Sequence, residues 1–396
     1  MGLRITYVGR SFLDYRIPVL CELDKICQGQ LYYISSDKWT PKRTLNRLRN
    51  VLGARAIYLP GEKSIGVDMP NESNTTICLP YQPDLIKTIA DTRPHVLVGD
   101  GFFQWSYAAL FHRIIHGIPL VVCYERWAHT ERNAQWYRRL YRKLALHFTD
   151  VVCCNGKLCH AYTRSLGISY DRITTGHMAA DTHDLQQAAA SVTYAERDEI
   201  RTGWYAQGLV FLYVGRLIRI KGIAQLLKAW ARFEQDQKEK ATLVLVGGGP
   251  EESSLRLLAD SLNLRRVYFA GSVDYNQIHN YYASADALII PTLEDNWSLV
   301  VPEAMACGLP ILCSKYNGCW PELVQAGING WVFDPLDNSD TLKVLASAAT
   351  SKAELQKMGQ RSREIVLDHT PKAAAESIFS ACKLAIARRS RPCAAS

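Results

Sequence analysis

The chain has 396 residues, 48% of them hydrophobic and 21% charged, with a formal net charge of +8. That length and apolar content suffice for two ordinary domains with substantial cores and exclude a disordered chain. The modest cationic excess favours anionic ligands or an anionic membrane surface and does not by itself indicate nucleic acid.

The N-terminus, MGLRITYVGRSF, reads as a first strand. It lacks the long apolar region of a secretory leader, and no run of about eighteen apolar residues occurs anywhere, so no leader or spanning helix is expected. LRITYVG, QLYYIS, ARAIYLP, HVLVGD, IPLVVCYE and DVVCCN follow as short apolar runs, most of them trailed by polar-faced helical stretches. Continuous apolar strands between helices predict a parallel sheet covered on both faces. A polar stretch without strands, residues 183–207, reads as a domain boundary. Beyond it the alternation resumes: GLVFLYVGR, ATLVLVGGG, VYFAG, ALIIPT and LPILCS as strands, with helices between them and WPELVQAG as a further helix. Residues 371–389 read as a last helix. The expected architecture is α/β, with a Rossmann-like domain over 1–190, a second over 205–370, and a helix over 371–390 returning to the first domain. Doubly wound sheets of this kind bind ligands at the carboxyl ends of their strands.

Twelve cysteines include no CxxC pair and no zinc-finger spacing with histidine. They read as small buried hydrophobes in a reducing compartment. The sequons at Asn71, Asn74 and Asn296 are then without consequence. A cytoplasmic protein is expected, free or resting on the cytosolic face of the inner membrane.

Three places carry chemistry. In GRLIRIKG, residues 215–222, Arg216 and Lys221 bracket a short loop between a strand and a helix. A planar fork of donors and a point charge suit a diphosphate, although a solvated loop has the same composition. In EDNWSLVVPEAMACGLP, Asp295 to Ser298 form a loop, Leu299 and Val300 offer N–H groups near a helix start, and Glu303 lies further in. Two carboxylates suit neutral hydroxyls and the amides suit an anion, so a diphosphate flanked by polyols fits; a helix-capping acid is the plainer alternative. In IPLVVCYERWAHTERN, Glu125 ends a strand and His129 follows. Either side chain can serve a reaction, and a locally bonded histidine is the alternative.

EDNWSLVVPEAMACGLP resembles the E-x7-E signature of retaining GT-B glycosyltransferases of family 4, also called group 1. GRLIRIKG is similar to that family's diphosphate loop, and VLVGGGP, YFAGSV and YYASADALIIPT keep its order. The resemblance is strongest over residues 209–335. It implies two Rossmann-like domains facing across a cleft, the donor nucleotide held by the C-terminal one. Glu303 would hold the ribose, Arg216 and Lys221 the diphosphate, and Gly271 and Val273 would sit beside the base. Asp295 stands where the family has its first Glu, and would reach the donor sugar. A histidine often ends the corresponding strand of the first domain; Glu125 occupies that place and His129 lies just beyond, so both are candidates. The family's glycine pair after strand one is missing, and Gly9, Tyr15 and Arg16 either line an acceptor pocket or form a plain turn. TTGHMAADTHD is similar to an interdomain turn of the family, with His177 in place of Asn.

The implied activity is retaining hexosyl transfer from a nucleotide-diphosphate sugar, a co-substrate, with no cofactor and no metal. The expected acceptor is a lipid-linked or saccharide precursor of a surface polysaccharide or lipopolysaccharide. A GT-B epimerase, a sugar-phosphate synthase and a non-catalytic membrane-docked subunit are the alternatives. Two basic, aromatic segments, 38–52 and 135–148, have helical spacing suited to an anionic lipid surface. Ordinary core-facing helices with a solvated basic face are the competing account.

Overall fold

The computed structural model describes residues 2–65, 79–236, 240–349 and 352–390. Asn71, Asn74, Cys78 and Cys393 lie outside the described residues. The chain forms two units, Met1–Ala179 with Pro371–Ser396, and Ala180–Thr370. The chain changes unit just ahead of the polar 183–207 stretch. That stretch forms helices of the second unit, His183–Ser191 and Tyr194–Gly203, the latter opened by a capping box between Thr193 and Glu196.

In the first unit the strands are β1 (Ile5–Val8), β2 (Leu31–Ser36), β3 (Ala56–Leu59), β4 (Lys63–Ile65), β5 (Leu79–Tyr81), β6 (Val96–Asp100), β7 (Leu120–Tyr124), β8 (Val151–Cys154) and β9 (Ile173–Thr175). Seven form one sheet in the order β3-β2-β1-β6-β7-β8-β9, parallel at every pairing. β4 and β5 make a separate antiparallel pair. All residues of β7 and β8 are buried, as continuous apolar strands under two helical layers must be. The Pro371–Ser390 helix packs on the Ile17–Ile26 helix and on β6 to β9. It turns Ala374, Ala375, Ile378, Ala381, Cys382 and Ala385 into that core, and these mostly small side chains allow close approach.

The second unit holds β10 (Leu209–Val214), β11 (Ala241–Val246), β12 (Val267–Gly271), β13 (Ala287–Ile290), β14 (Ile311–Ser314) and β15 (Gly330–Phe333). Their order is β12-β11-β10-β13-β14-β15, again parallel throughout. In each sheet the strand order reverses beside the first strand, between β1 and β6 and between β10 and β13. Loops that leave these neighbours diverge and open a crevice at the carboxyl edge.

Two expectations need correction. WPELVQAG is helical only over Trp320–Leu323, and the chain then runs on to β15, which had no assigned strand. β9 was likewise unassigned. Both are short edge strands, with too few residues for a clear apolar period. The described cysteines are free, and all but Cys21 are buried.

Candidate functional site

The carboxyl edge of the second sheet is a row of loops bonded backbone to backbone. The Gly247 N–H donates to Gly271 O at 2.8 Å, Gly215 to Val246 O at 3.0 Å and Leu217 to Gly248 O at 2.9 Å. Ile220 O accepts from the Leu293 N–H at 2.7 Å and from the Thr292 hydroxyl at 3.0 Å. The Asp295 N–H donates to Tyr316 O at 3.2 Å. The loops after β12, β11, β10, β13 and β14 therefore form one continuous floor. Gly222 is what lets two of them meet: its φ is +71°, and a Cβ there would lie 2.0 Å from Pro291 O.

This floor brings the basic loop and the acidic loop together. Lys221 Nζ donates to Asp295 Oδ2, which also accepts from the Ser298 hydroxyl at 2.6 Å. Asp295 Oδ1 accepts from the Trp297 N–H at 3.1 Å. At least three of the carboxylate's roughly four acceptor positions are thus occupied, by its own loop and by Lys221. Asp295 accordingly orients the loop and the lysine, while Lys221 keeps two further N–H donors to direct elsewhere. Arg216 differs. Its side chain is exposed, and its guanidinium has no hydrogen bond or ion pair among the described residues. The Tyr213 hydroxyl donates to its carbonyl at 3.0 Å and fixes the backbone beneath it.

The Val300–Ala306 helix carries Glu303. Its first amide bonds run from Val301 to Ser298 O and from Glu303 to Leu299 O, so the Leu299 and Val300 amides precede the helical ladder. The Tyr282 hydroxyl donates to Glu303 Oε2 at 2.8 Å, and Tyr275 bonds the same carboxyl. Burial pushes the Glu303 carboxyl up to about 7, with the two tyrosine bonds pulling the other way. Tyr275 follows directly on the Gly271–Val273 loop, so Glu303 is tied to that loop as well. At Gly271, φ is +71° and the space where a side chain would stand is open.

The first sheet has a different centre at its own reversal point. Arg16 donates to Asp100 Oδ1 at 3.0 Å, to the Tyr7 hydroxyl at 3.2 Å and to Glu125 Oε1 at 2.7 Å. Burial disfavours its charge, and Asp100, Tyr7 and Glu125 more than offset that. Glu125 stands at the end of β7 as expected, with its carboxylate held by Arg16. His129 lies beyond it in the turn 128–133, its ring 5.3 Å from that of Trp127. The histidine bonded at the end of β7 is His177, whose Nε2 lies 3.1 Å from Tyr124 O. It is buried, and burial holds its pKa below the usual imidazole value.

Residues 195–365 match the family model described as Glycosyl transferases group 1. The chain is 34% identical over 126 residues to an uncharacterized glycosyltransferase of Methanocaldococcus jannaschii; the match covers 31% of this chain and 32%, about a third, of that relative's length. A longer match, 27% identical over 321 residues, joins 80% of the chain to 77% of the putative glycosyltransferase EpsF of Bacillus subtilis. Among solved structures, Anabaena HepE in complex with UDP superposes with a TM-score of 0.75 over 96% of this chain and 99% of that one, at 17% identity. The fold is GT-B, two parallel-sheet α/β domains.

The second unit holds Arg216, Lys221, Gly271, Val273, Asp295, Ser298, Leu299, Val300 and Glu303 on one carboxyl edge. Sequence reading missed Tyr275 and Tyr282, which lie in the preceding β-α unit with no fixed spacing to Glu303. It also missed Tyr7 and Asp100. An acid closing an otherwise apolar strand, as Asp100 closes HVLVGD, was the available signal. Among the described residues no three His, Cys, Asp or Glu side chains group as metal ligands, and no helix is long and apolar enough to cross a membrane.

Proposed function

We propose that the protein is a retaining, metal-independent hexosyltransferase that moves a sugar from a nucleoside-diphosphate sugar to an acceptor hydroxyl. The observation that carries this reading is the joined floor at the reversal point of the second sheet, which gathers on one carboxyl edge an exposed guanidinium, a carboxylate-oriented ammonium and the half-buried, tyrosine-bonded Glu303. Support also comes from the group 1 match over residues 195–365.

In this reading Arg216 and Lys221 hold the diphosphate, with the Leu299 and Val300 amides contributing donors. Glu303 accepts from the ribose hydroxyls, and the open face at Gly271 and Val273 receives the base. During transfer the bond from the sugar's anomeric carbon to the phosphate oxygen breaks, and a bond to the acceptor oxygen forms. The acceptor's proton leaves with the departing nucleoside diphosphate. Negative charge gathers on the leaving phosphate, where the two cations stabilise it in a preorganised way. Asp295 acts by aiming Lys221 and Ser298 and reaches the donor sugar only from that fixed position. A lipid-linked saccharide of a surface glycan is the proposed acceptor.

The test incubates the protein with radiolabelled UDP-, GDP- and ADP-sugars and a set of lipid-linked and free saccharides, with and without EDTA. Label is expected in the acceptor, at the donor's anomeric configuration, with EDTA having no effect. Label that stays in an isomerised donor identifies an epimerase, and binding without turnover a non-catalytic subunit; either overturns the proposal.

A further inference from the structure

The helix Trp136–Phe148 buries Arg142 alongside Ala145 and Leu146 and leaves a second apolar ridge outside. Its Arg142 is 0% exposed and donates to Glu131 and, at 3.0 Å, to the Tyr162 hydroxyl, while Trp136 is 75%, Leu140 50% and Leu144 56% exposed. Trp136, Leu140, Leu144 and Phe148 recur every fourth residue and so form one ridge about 18 Å long. The neighbouring helix Ser106–Ile115, packed against it over the same face of the first sheet, exposes Ile114 and Ile115 as well. Buried arginine under exposed leucine reverses the ordinary burial order, and contiguous apolar surface of this kind marks a place of attachment.

The charge on this face decides what attaches. Arg139 and Lys143 flank the ridge, both exposed. Between residues 101 and 150 the only acids are Glu125, Glu131 and Asp150. Each is turned inward: Glu125 to Arg16, Glu131 to Arg142, and Asp150 to Arg113 at 2.6 Å. A second copy docked face to face through this same patch would bring like charges together, since the segment's acids are turned inward. An interfacial helix with a tryptophan, aliphatic side chains and flanking cations suits a negatively charged bilayer surface, where the apolar ridge enters the acyl boundary and the cations meet headgroup phosphates.

We infer that this two-helix face of the first unit is a docking surface for an anionic lipid bilayer. The inference stands apart from the transfer reaction, since it is read by binding alone. It also separates the two basic segments of the sequence. The Lys42–Leu52 helix buries Leu45, Leu48 and Leu52 and presents only its polar side, so it has no apolar ridge to insert.

The experiment is flotation of the full chain with vesicles of phosphatidylcholine alone, and of phosphatidylcholine mixed equally with phosphatidylglycerol. Binding is expected to the mixed vesicles and weakly to the neutral ones. Leu140→Gln with Leu144→Gln should lower it at least about tenfold, and Arg139→Gln with Lys143→Gln about fivefold for each cation removed. Lys42→Gln with Arg43→Gln should leave it unchanged, and all variants should keep the wild-type melting temperature. The assignment is overturned by absence of binding to the mixed vesicles. It is also overturned by equal loss in the Lys42/Arg43 pair, by indifference to the Leu140/Leu144 pair, or by a wild-type dimer that this pair dissolves without any lipid effect.

Discussion

Two sheets with the same strand reversal use their cations in opposite ways. At the carboxyl edge of the first, Arg16 is enclosed and bonded to Asp100, Tyr7 and Glu125. At the edge of the second, Arg216 stands exposed with no partner among the described residues, and Lys221 has only Asp295. Topology therefore fixes where a site can form, and the balance of charge around each cation fixes what it is available for. A guanidinium between two carboxylates consolidates the fold, whereas one facing solvent can still bind an anion. The comparison predicts that removing a cation from the first edge costs stability and removing one from the second costs function.

The largest effect is expected from Arg16→Met. Two half-buried carboxylates would lose their shared partner, and breaking a buried pair from one side typically costs about 3–5 kcal/mol. Urea unfolding should show a lowered midpoint; an unchanged midpoint would mean that the Asp100–Arg16–Glu125 group adds nothing to the fold. On the second edge, Lys221→Ala should reduce kcat about 10²–10³-fold, in line with the loss of one preorganised donor to a developing charge. Its melting temperature should move far less than that of the Arg16 variant, because Asp295 keeps Ser298 and the Trp297 amide. Full turnover in this variant would remove Lys221 from the mechanism. Arg216→Ala gives a smaller change, about tenfold in kcat/KM for an exposed charge-assisted contact. Its unfolding curve should match that of the native chain, and a shift in unfolding with unaltered kinetics would reverse the contrast.

These contrasts also show what was legible in the sequence. The strands of the two sheets were visible as apolar runs because burial on both faces leaves no polar alternation. The short edge strands β9 and β15 were not, since their few residues fit a turn as well as a strand. The loops 215–222 and 295–303 were legible because charge type and spacing within a few residues carry the signal. Their partners were not: Asp295 holding Lys221 spans 74 residues of chain, and Tyr282 reaches Glu303 from another β-α unit. The burial of Arg142 was likewise hidden, since a basic residue in an amphipathic helix reads as solvated until its partner Glu131 is known.

A pH dependence tests Glu303, the acid at the second edge that is paired with tyrosines instead of a cation. In the folded chain it titrates at about 7, against about 4.3 in an unfolded one. A carboxyl raised in this way costs stability as pH rises: between about 4 and 7 the unfolded chain has released a proton that the folded chain still holds. Wild-type stability should therefore decline across that window relative to Glu303→Gln and run parallel above it. Donor binding should move the other way, because only the ionised carboxylate accepts from both ribose hydroxyls. The donor KM of the wild type should fall severalfold as pH passes upward through about 7, and that of Glu303→Gln should stay level. Parallel KM profiles would leave Glu303 as a helix residue bonded to two tyrosines, with no part in holding the pentose.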